Sequence, residues 1–253
     1  MIKTQFEVTT SIGCPVDCKF CPQDRIVERY TGARTLTLKA FTELIQTVPS
    51  SVPIIFAGVS EPFLNSATPD MIWYANKKGH AIQLFTTLTG LKYHDAIRLT
   101  EIPFESVVIH LPDAHGNAKI KMTPTWHRAF EVMAMSAKNL HFMNMGADFV
   151  SDRSEEIVRE TMPIIHKGPV MCYRHEIPDY IMMPNGHVFF CCQTKGQRAY
   201  VGSLYENTYP ELVARHPQIS KRLQNDSESL CHKCTWAKPR IKYQALKYME
   251  MLK

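Results

Sequence analysis

The sequence predicts an α/β protein, with a parallel sheet that is either open or rolled into a barrel and a small C-terminal unit built on a β-hairpin and a helix. Three observations lead there. Over the first two-thirds of the 253 residues, short apolar runs alternate with helical patterns, as βαβ units do. Past residue 168 the pattern turns to paired apolar runs around a tight turn. The eight cysteines fall into two groups, one near the N-terminus and one in the last third. Thiol-held clusters commonly support units too small for a core of their own.

Strands are expected over 5–10 (QFEVTT), 53–58 (PIIFAG), 81–87 (AIQLFTT), 106–111 (SVVIHL) and 140–145 (LHFMNM). Thr37 is placed to cap a helix with Leu38, Phe41, Leu44 and Ile45 on one face, stopped near Pro49. Thr123-Pro124 starts a second, where Trp126, Phe130 and Met133 recur at i, i+4 and i+7. Residues 154–168 (SEEIVRETMPIIHKG) read as a third, with acids first and Lys167-Gly168 last. In the final third, two apolar runs flank Pro184-Asn185-Gly186 in a hairpin pattern. Residues 209–223 follow as an amphipathic helix interrupted at Pro217, and a last helix is expected near 239–252. The boundary falls near residue 168, dividing the chain into 1–167 and 168–253.

Composition narrows the function classes. The chain is 45% hydrophobic and 21% charged with a net charge of +5, ordinary for a soluble globular protein. No dense Lys/Arg stripe points to nucleic acid. The opening MIKTQFEVTT lacks the apolar core of a signal peptide, and no apolar run approaches the ~18 residues a membrane span needs. The expected location is cytoplasmic, where cysteines serve as metal ligands or catalytic groups more often than as disulfides.

Cys14, Cys18 and Cys21 form C-x3-C-x2-C in the stretch SIGCPVDCKFCPQD. Structural zinc asks for four protein ligands, so three would need a distant partner. A four-iron cluster on three thiolates leaves one iron open to a substrate or cofactor. The stretch CPVDCKFC resembles the cluster motif of the radical S-adenosylmethionine (SAM) enzymes, including the aromatic Phe20 before the third cysteine and its place in the loop after a first strand. The resemblance implies a partial (β/α)6 barrel over 1–167 and an open iron that chelates SAM. There SAM is cleaved to a 5′-deoxyadenosyl radical that abstracts a substrate hydrogen.

A second stretch agrees. AGVSEP, residues 57–62, is similar to the family's Gly-Gly-Glu-Pro motif after the second strand, with Ala57-Gly58 for the glycines and Glu61-Pro62 for the acid and proline. Val59 and Ser60 separate the halves, a departure from the commonest form. The resemblance gives Gly58 and Glu61 to the SAM ammonium. Thr86, Thr87, His110 and Asn144, at or near the ends of the third to fifth strands, become candidates for the SAM ribose or the substrate, beside the plainer reading as structural polar residues.

The later cysteines run Cys172-x13-Gly186-x4-Cys191, then Cys231-x2-Cys234. This resembles the opening of the SPASM extension, and with no cysteine after Cys234 it resembles the shortened Twitch form with one auxiliary cluster. The resemblance implies two 4Fe-4S clusters: one on Cys14, Cys18 and Cys21, the other on Cys172, Cys191, Cys231 and Cys234. Cys192 is left as a buried thiol on the opposite strand face. A zinc site on the same four cysteines is the alternative.

A fully ligated auxiliary cluster suits electron acceptance, as in the radical SAM dehydrogenases of aminocyclitols such as 2-deoxy-scyllo-inosamine. The expected activity is oxidation of a secondary alcohol of a sugar or aminocyclitol. Candidates to steer or take the proton are His110, Arg153 and Arg174, and the reductant implied is a flavodoxin or ferredoxin. The alternatives are a carbohydrate epimerase with Cys192 as hydrogen donor, a peptide-modifying maturase, and a non-enzymatic metal-binding protein.

Overall fold

The computed structural model describes residues 4–19, 21–144, 166–194, 198–227 and 229–251. Its main sheet has eight strands in the order β5-β4-β3-β2-β1-β7-β8-β9. β1 (Gln5–Thr9), β2 (Ile54–Ala57), β3 (Ile82–Thr86), β4 (Ser106–Leu111) and β5 (Leu140–Asn144) run parallel, and all five lie where apolar runs predict them. A short β6 (Val170–Met171) pairs antiparallel with β10 (Lys238–Pro239) in a separate ladder. β7 (Asp179–Met182) pairs parallel with β1, while β8 (His187–Phe189) and β9 (Tyr200–Ser203) continue antiparallel. The chain beyond residue 168 therefore extends the first unit's sheet along its β1 edge.

Among the described residues there are eight helices: α1 (Gln23–Arg29), α2 (Leu38–Leu44), α3 (Thr68–Lys77), α4 (Tyr93–Leu99), α5 (Pro124–Ser136), α6 (Tyr209–Ala214), α7 (His216–Asn225) and α8 (Arg240–Met251). Thr37 caps α2 by accepting from Ala40 N at 3.1 Å, and Thr123 caps α5 through Trp126 N at 3.2 Å, as expected. Thr208 and Glu211 close a capping box on α6, and Pro217 lies in the first turn of α7, where the amphipathic stretch was expected to break. The helix expected over 154–168 lies outside the described residues but for its last three.

The hairpin turns on Met183-Pro184-Asn185-Gly186, closed by Gly186 N to Met183 O at 2.9 Å. Gly186 takes φ +76°, and a Cβ there would sit 2.7 Å from the Tyr205 ring, so glycine is required on both counts.

Strand alternation gives the sheet two unlike faces. Phe6 and Val8, Ile54 and Phe56, Ile82 and Leu84, Val107 and Ile109, Tyr180 and Met182 bury into one large core with the helices. Glu7, Gln83, His110, Asp179 and Ile181 therefore project from the opposite, inner face. No helix among the described residues is long and apolar enough to cross a membrane.

Candidate active site

The first cysteine loop leaves the C-terminal end of β1 and is held on both sides. Ser60 Oγ donates to Ser11 O at 2.6 Å, and Ile12 N to Arg34 O at 2.8 Å. Lys19 N donates to Asn117 O at 2.8 Å, Lys119 N to Val16 O at 2.6 Å, and Lys119 pairs with Asp17. Asp113 organises that neighbouring loop by accepting from the backbone of His115, Asn117 and Ala118. Val16 plugs into the core while Cys14, Cys18 and Cys21 stay partly exposed. Gln23 Nε2, at the start of α1, reaches Cys21 Sγ at 3.4 Å and also bonds Val59 O. Burial pushes the Cys14 thiol up, opposed by the backbone N–H groups of Val16 and Glu61 directed at its sulfur.

The β2 end approaches this loop through Gly58. At φ +105° a Cβ would lie 2.1 Å from Thr9 Oγ1, so only glycine lets the ends of β1 and β2 come together. Three residues on, Glu61 is 5% exposed and starts the short 3-10 turn Pro62–Leu64. Its carboxylate accepts from Phe63 N at 3.2 Å, Thr86 Oγ1 at 2.5 Å, Thr87 N at 2.6 Å and Thr87 Oγ1 at 2.8 Å. Burial pushes the Glu61 carboxyl up, and these four donors pull against it. Thr86 and Thr87, expected at an open strand end, are thus turned onto Glu61 and orient it. His110 stands half-buried on the inner face of β4 with its ring edge-on to Phe85 at 6.4 Å. Asn144 ends β5; its side chain, together with Phe20 and Arg153, lies outside the described residues.

The second cysteine set forms at the other end of β1. The β7–β8 ladder ends at Ile181–Phe189, two residues before Cys191. Asp179, which pairs with Gln5 at the start of β1, is ion-paired to Arg174, and Arg174 lies within electrostatic reach of Cys191. Cys172 precedes a 3-10 turn, Tyr173–His175, and its sulfur receives the N–H groups of Arg174 and His175. The β6–β10 ladder ties Cys172 to the segment after Cys234, and His232 Nε2 meets Gly168 O at 2.9 Å. Cys172 lies in electrostatic reach of Cys191, Cys231 and Cys234. Burial pushes the Cys172 thiol up to about 11 and Cys231 further. Cys191 is pushed well up, first by its hydrogen bond with Cys192 and then by burial.

Among the described residues, no three of His, Cys, Asp or Glu meet around a single metal ion. A four-iron cluster takes one thiolate per iron and asks for no such meeting. By donor chemistry, the three partly exposed loop thiols and the second set, with Cys172 partly buried and Cys191, Cys231 and Cys234 buried, are each able to hold such a cluster.

One correction follows. Cys192 was expected on the face opposite Cys191, but the strand ends at Phe189 and Cys192 opens a 3-10 turn, so alternation lapses and the two thiols bond. Arg174 forms a buried ion pair with Asp179, stacks over Tyr173 at 4.9 Å, and its proton is held well above the ordinary arginine range, which suits it to steering a proton rather than taking one. Its pull is set against burial by Cys191, Cys192, Tyr173 and Glu7 around it.

That neighbourhood exposes a residue the sequence reading passed over. Glu7 sits mid-strand on β1, inward-facing, between the two cysteine sets. Its signal was present as one acid alternating with buried Phe6 and Val8.

The fold is similar to that of solved radical SAM enzymes. Among similar solved structures, BtrN in complex with AdoMet and 2-DOIA matches with a TM-score of 0.71 at 15% identity, over 93% of this chain and 94% of that one. The structure of anSMEcpe with bound AdoMet matches with a TM-score of 0.56 at 13% identity, over 92% and 86%. Streptococcus suis SuiB bound to precursor peptide SuiA matches with a TM-score of 0.54 at 9% identity, over 92% and 70%. No protein-family model matches the sequence, and neither does a curated protein.

Proposed function

We propose that this chain is a radical SAM oxidoreductase that oxidises a secondary alcohol of a sugar or aminocyclitol to a ketone. One observation supports it above the rest: the two cysteine sets lie at opposite ends of β1, and the Glu7 carboxylate faces inward between them. When bound, SAM and the clusters would supply a radical that takes the carbinol hydrogen atom and an acceptor for the remaining electron. Glu7 would take the hydroxyl proton, so that one hydrogen atom, one proton and one electron leave as the C=O bond forms. His110 is the less favoured base because β4 stands three strands from β1 in the sheet.

Cys14, Cys18 and Cys21 would hold the cluster that meets SAM. Gly58 and Glu61 would form the SAM side of the site, and Phe20, His110 and Asn144 remain candidates for it from the sequence motif and strand ends. Cys172, Cys191, Cys231 and Cys234 would hold the second cluster, giving each side of residue 168 one cluster. A flavodoxin or ferredoxin would deliver the electron that starts turnover. Likeness to BtrN over nearly its whole length, in a structure holding 2-DOIA beside AdoMet, supports a small-molecule substrate. Peptide modification is the second reading, supported by the likeness to SuiB with its bound precursor peptide, over a smaller share of that chain.

The test is anaerobic reconstitution, metal analysis, and incubation with SAM, a low-potential reductant and a panel of aminocyclitols and sugars. About eight irons per chain, 5′-deoxyadenosine and a ketone product are expected. Zinc without iron, or no 5′-deoxyadenosine from protein that holds its iron, would overturn the proposal.

A further inference from the structure

We infer that Arg174 and Asp179 are positioning residues that set the redox potential of the second cluster, Arg174 raising it and Asp179 limiting the rise. This rests on the reading that Cys172, Cys191, Cys231 and Cys234 hold an iron–sulfur cluster. The geometry begins at Cys172. Arg174 stands two residues on, in the 3-10 turn that directs its backbone N–H groups at the Cys172 sulfur. The side chain crosses the Tyr173 ring at 4.9 Å and ends on Asp179, the first residue of β7. The β7–β8 ladder ends at Ile181–Phe189, two residues before Cys191, and the Cys191 thiol lies within electrostatic reach of the Arg174 guanidinium. The two side chains are 16% and 5% exposed, so water and salt screen them weakly.

The placement bears on electron acceptance. A cluster gains one negative charge when it takes an electron, and its potential follows the net charge and hydrogen bonding around its sulfurs. A guanidinium fixed two residues from Cys172 by its ion pair with Asp179, and within electrostatic reach of Cys191 and Cys192, would favour the reduced form. Asp179 immobilises the guanidinium and offsets part of its field. A buried ion pair adds little stability by itself, since desolvation consumes most of the attraction, so its position beside the thiols is the feature that needs a use. An alcohol oxidation of the proposed kind leaves one electron to be accepted at this site, and a raised potential makes that acceptance favourable.

The experiment is a potentiometric titration of the reconstituted holoenzyme followed by electron paramagnetic resonance, with SAM added to displace the first cluster's signal. Arg174→Gln should lower the reduced-to-oxidised ratio of the second cluster at fixed potential by on the order of tenfold. Asp179→Asn should raise it, and Arg174→Lys, which keeps the positive charge though not the stacking, should shift it less than Arg174→Gln does. Shifts of opposite sign with iron content unchanged support the assignment. Shifts of the same sign, or none, in variants that keep their iron overturn it. Should Arg174→Gln lose iron, Asp179→Asn still decides the proposal: a rise supports it, and a fall or no change overturns it. A parent protein lacking a second cluster defeats the cluster reading instead, and metal analysis separates the two failures.

Discussion

Thr86 Oγ1 donates to Glu61 at 2.5 Å, and this contact fastens the acid that follows β2 to the end of β3. Thr87 adds its N–H and hydroxyl, so one carboxylate joins two strand ends beside the first cysteine loop. Removing one donor while keeping the shape, as in Thr86→Val, leaves a buried carboxylate short of a partner and should cost about 1–3 kcal/mol. Urea denaturation measures it, and an unchanged midpoint would show that Glu61 does not depend on Thr86.

Glu61 also predicts a pH dependence. Burial raises its folded pKa above that of the unfolded chain. The folded state therefore keeps the proton longer, and the stability Glu61 contributes is present below the ordinary carboxylate pKa of about 4.3 and lost as pH rises through the raised folded value. A Glu61→Gln variant carries no such term. The stability difference, parent minus variant, should fall between acid and neutral pH, and a difference that rises instead would mean the four donors outweigh burial.

Gly58 gives a sharper structural test. Gly58→Ala forces a Cβ to within 2.1 Å of Thr9 Oγ1 at φ +105°. A loss of at least about 2 kcal/mol is expected from strain and clash together. Thr9→Ala in the same chain should recover the clash but not the strain, so the double variant should land between the two. Full recovery would mean that the left-handed backbone costs nothing here.

His80 titrates the other way. It is 4% exposed, its Nδ1 lies 2.9 Å from Val52 O, and burial lowers its pKa despite that bond, with Lys78 adding to the effect. Its folded pKa lies below the unfolded 6.5, so the stability it gives is present above 6.5 and lost as pH falls through the folded value. Going from pH 7 to about pH 5 should therefore destabilise the parent more than His80→Gln. Equal losses in both would place the acid sensitivity elsewhere.

Much of this arrangement is legible in the sequence, for identifiable reasons. β1 to β4 are short apolar runs between turn signals, and Thr37, Thr123 and Pro217 announce the helix ends they form. α1, α3 and α4 escaped: each lacks a side-chain cap, and α1 and α4 bury only a few residues. The pairing of β7 with β1 joins residues more than 170 positions apart and is fixed by burial of Tyr180 and Met182 in the same core as Phe6 and Val8, which no local pattern encodes. The cysteine spacings were legible because C-x3-C-x2-C and C-x2-C are patterns within a few residues of the chain. The turning of Thr86 and Thr87 onto Glu61, and the pairing of Arg174 with Asp179, depend on where three strand ends and two turns meet.

The two cysteine sets should separate in their effects. Cys18→Ala should remove about half the iron and all SAM cleavage. Cys234→Ala should also remove about half the iron but leave 5′-deoxyadenosine formation, while ketone product falls steeply. Cys192→Ala should keep both clusters and turnover, since its thiol bonds Cys191 at the edge of the second set. Loss of turnover in Cys192→Ala, with solvent hydrogen appearing in product from the parent, would favour epimerisation over oxidation.

Glu7 carries the last and most exacting prediction. It faces inward on β1, with Phe6 and Val8 on either side buried in the opposite core, and Arg174 lies within its electrostatic reach. A carboxamide there keeps the shape and can still accept a hydrogen bond, but cannot take a proton. Glu7→Gln should therefore lower ketone formation by about 10²–10⁴-fold, the range for loss of a general base. Iron content and SAM binding should hold, and deuterium from a carbinol-labelled substrate should still enter 5′-deoxyadenosine, because hydrogen abstraction precedes the step that needs the base. Ketone formation at the parent rate would remove Glu7 from the chemistry, and the same measurement on His110→Gln would then show whether the inner face of β4 supplies the base instead.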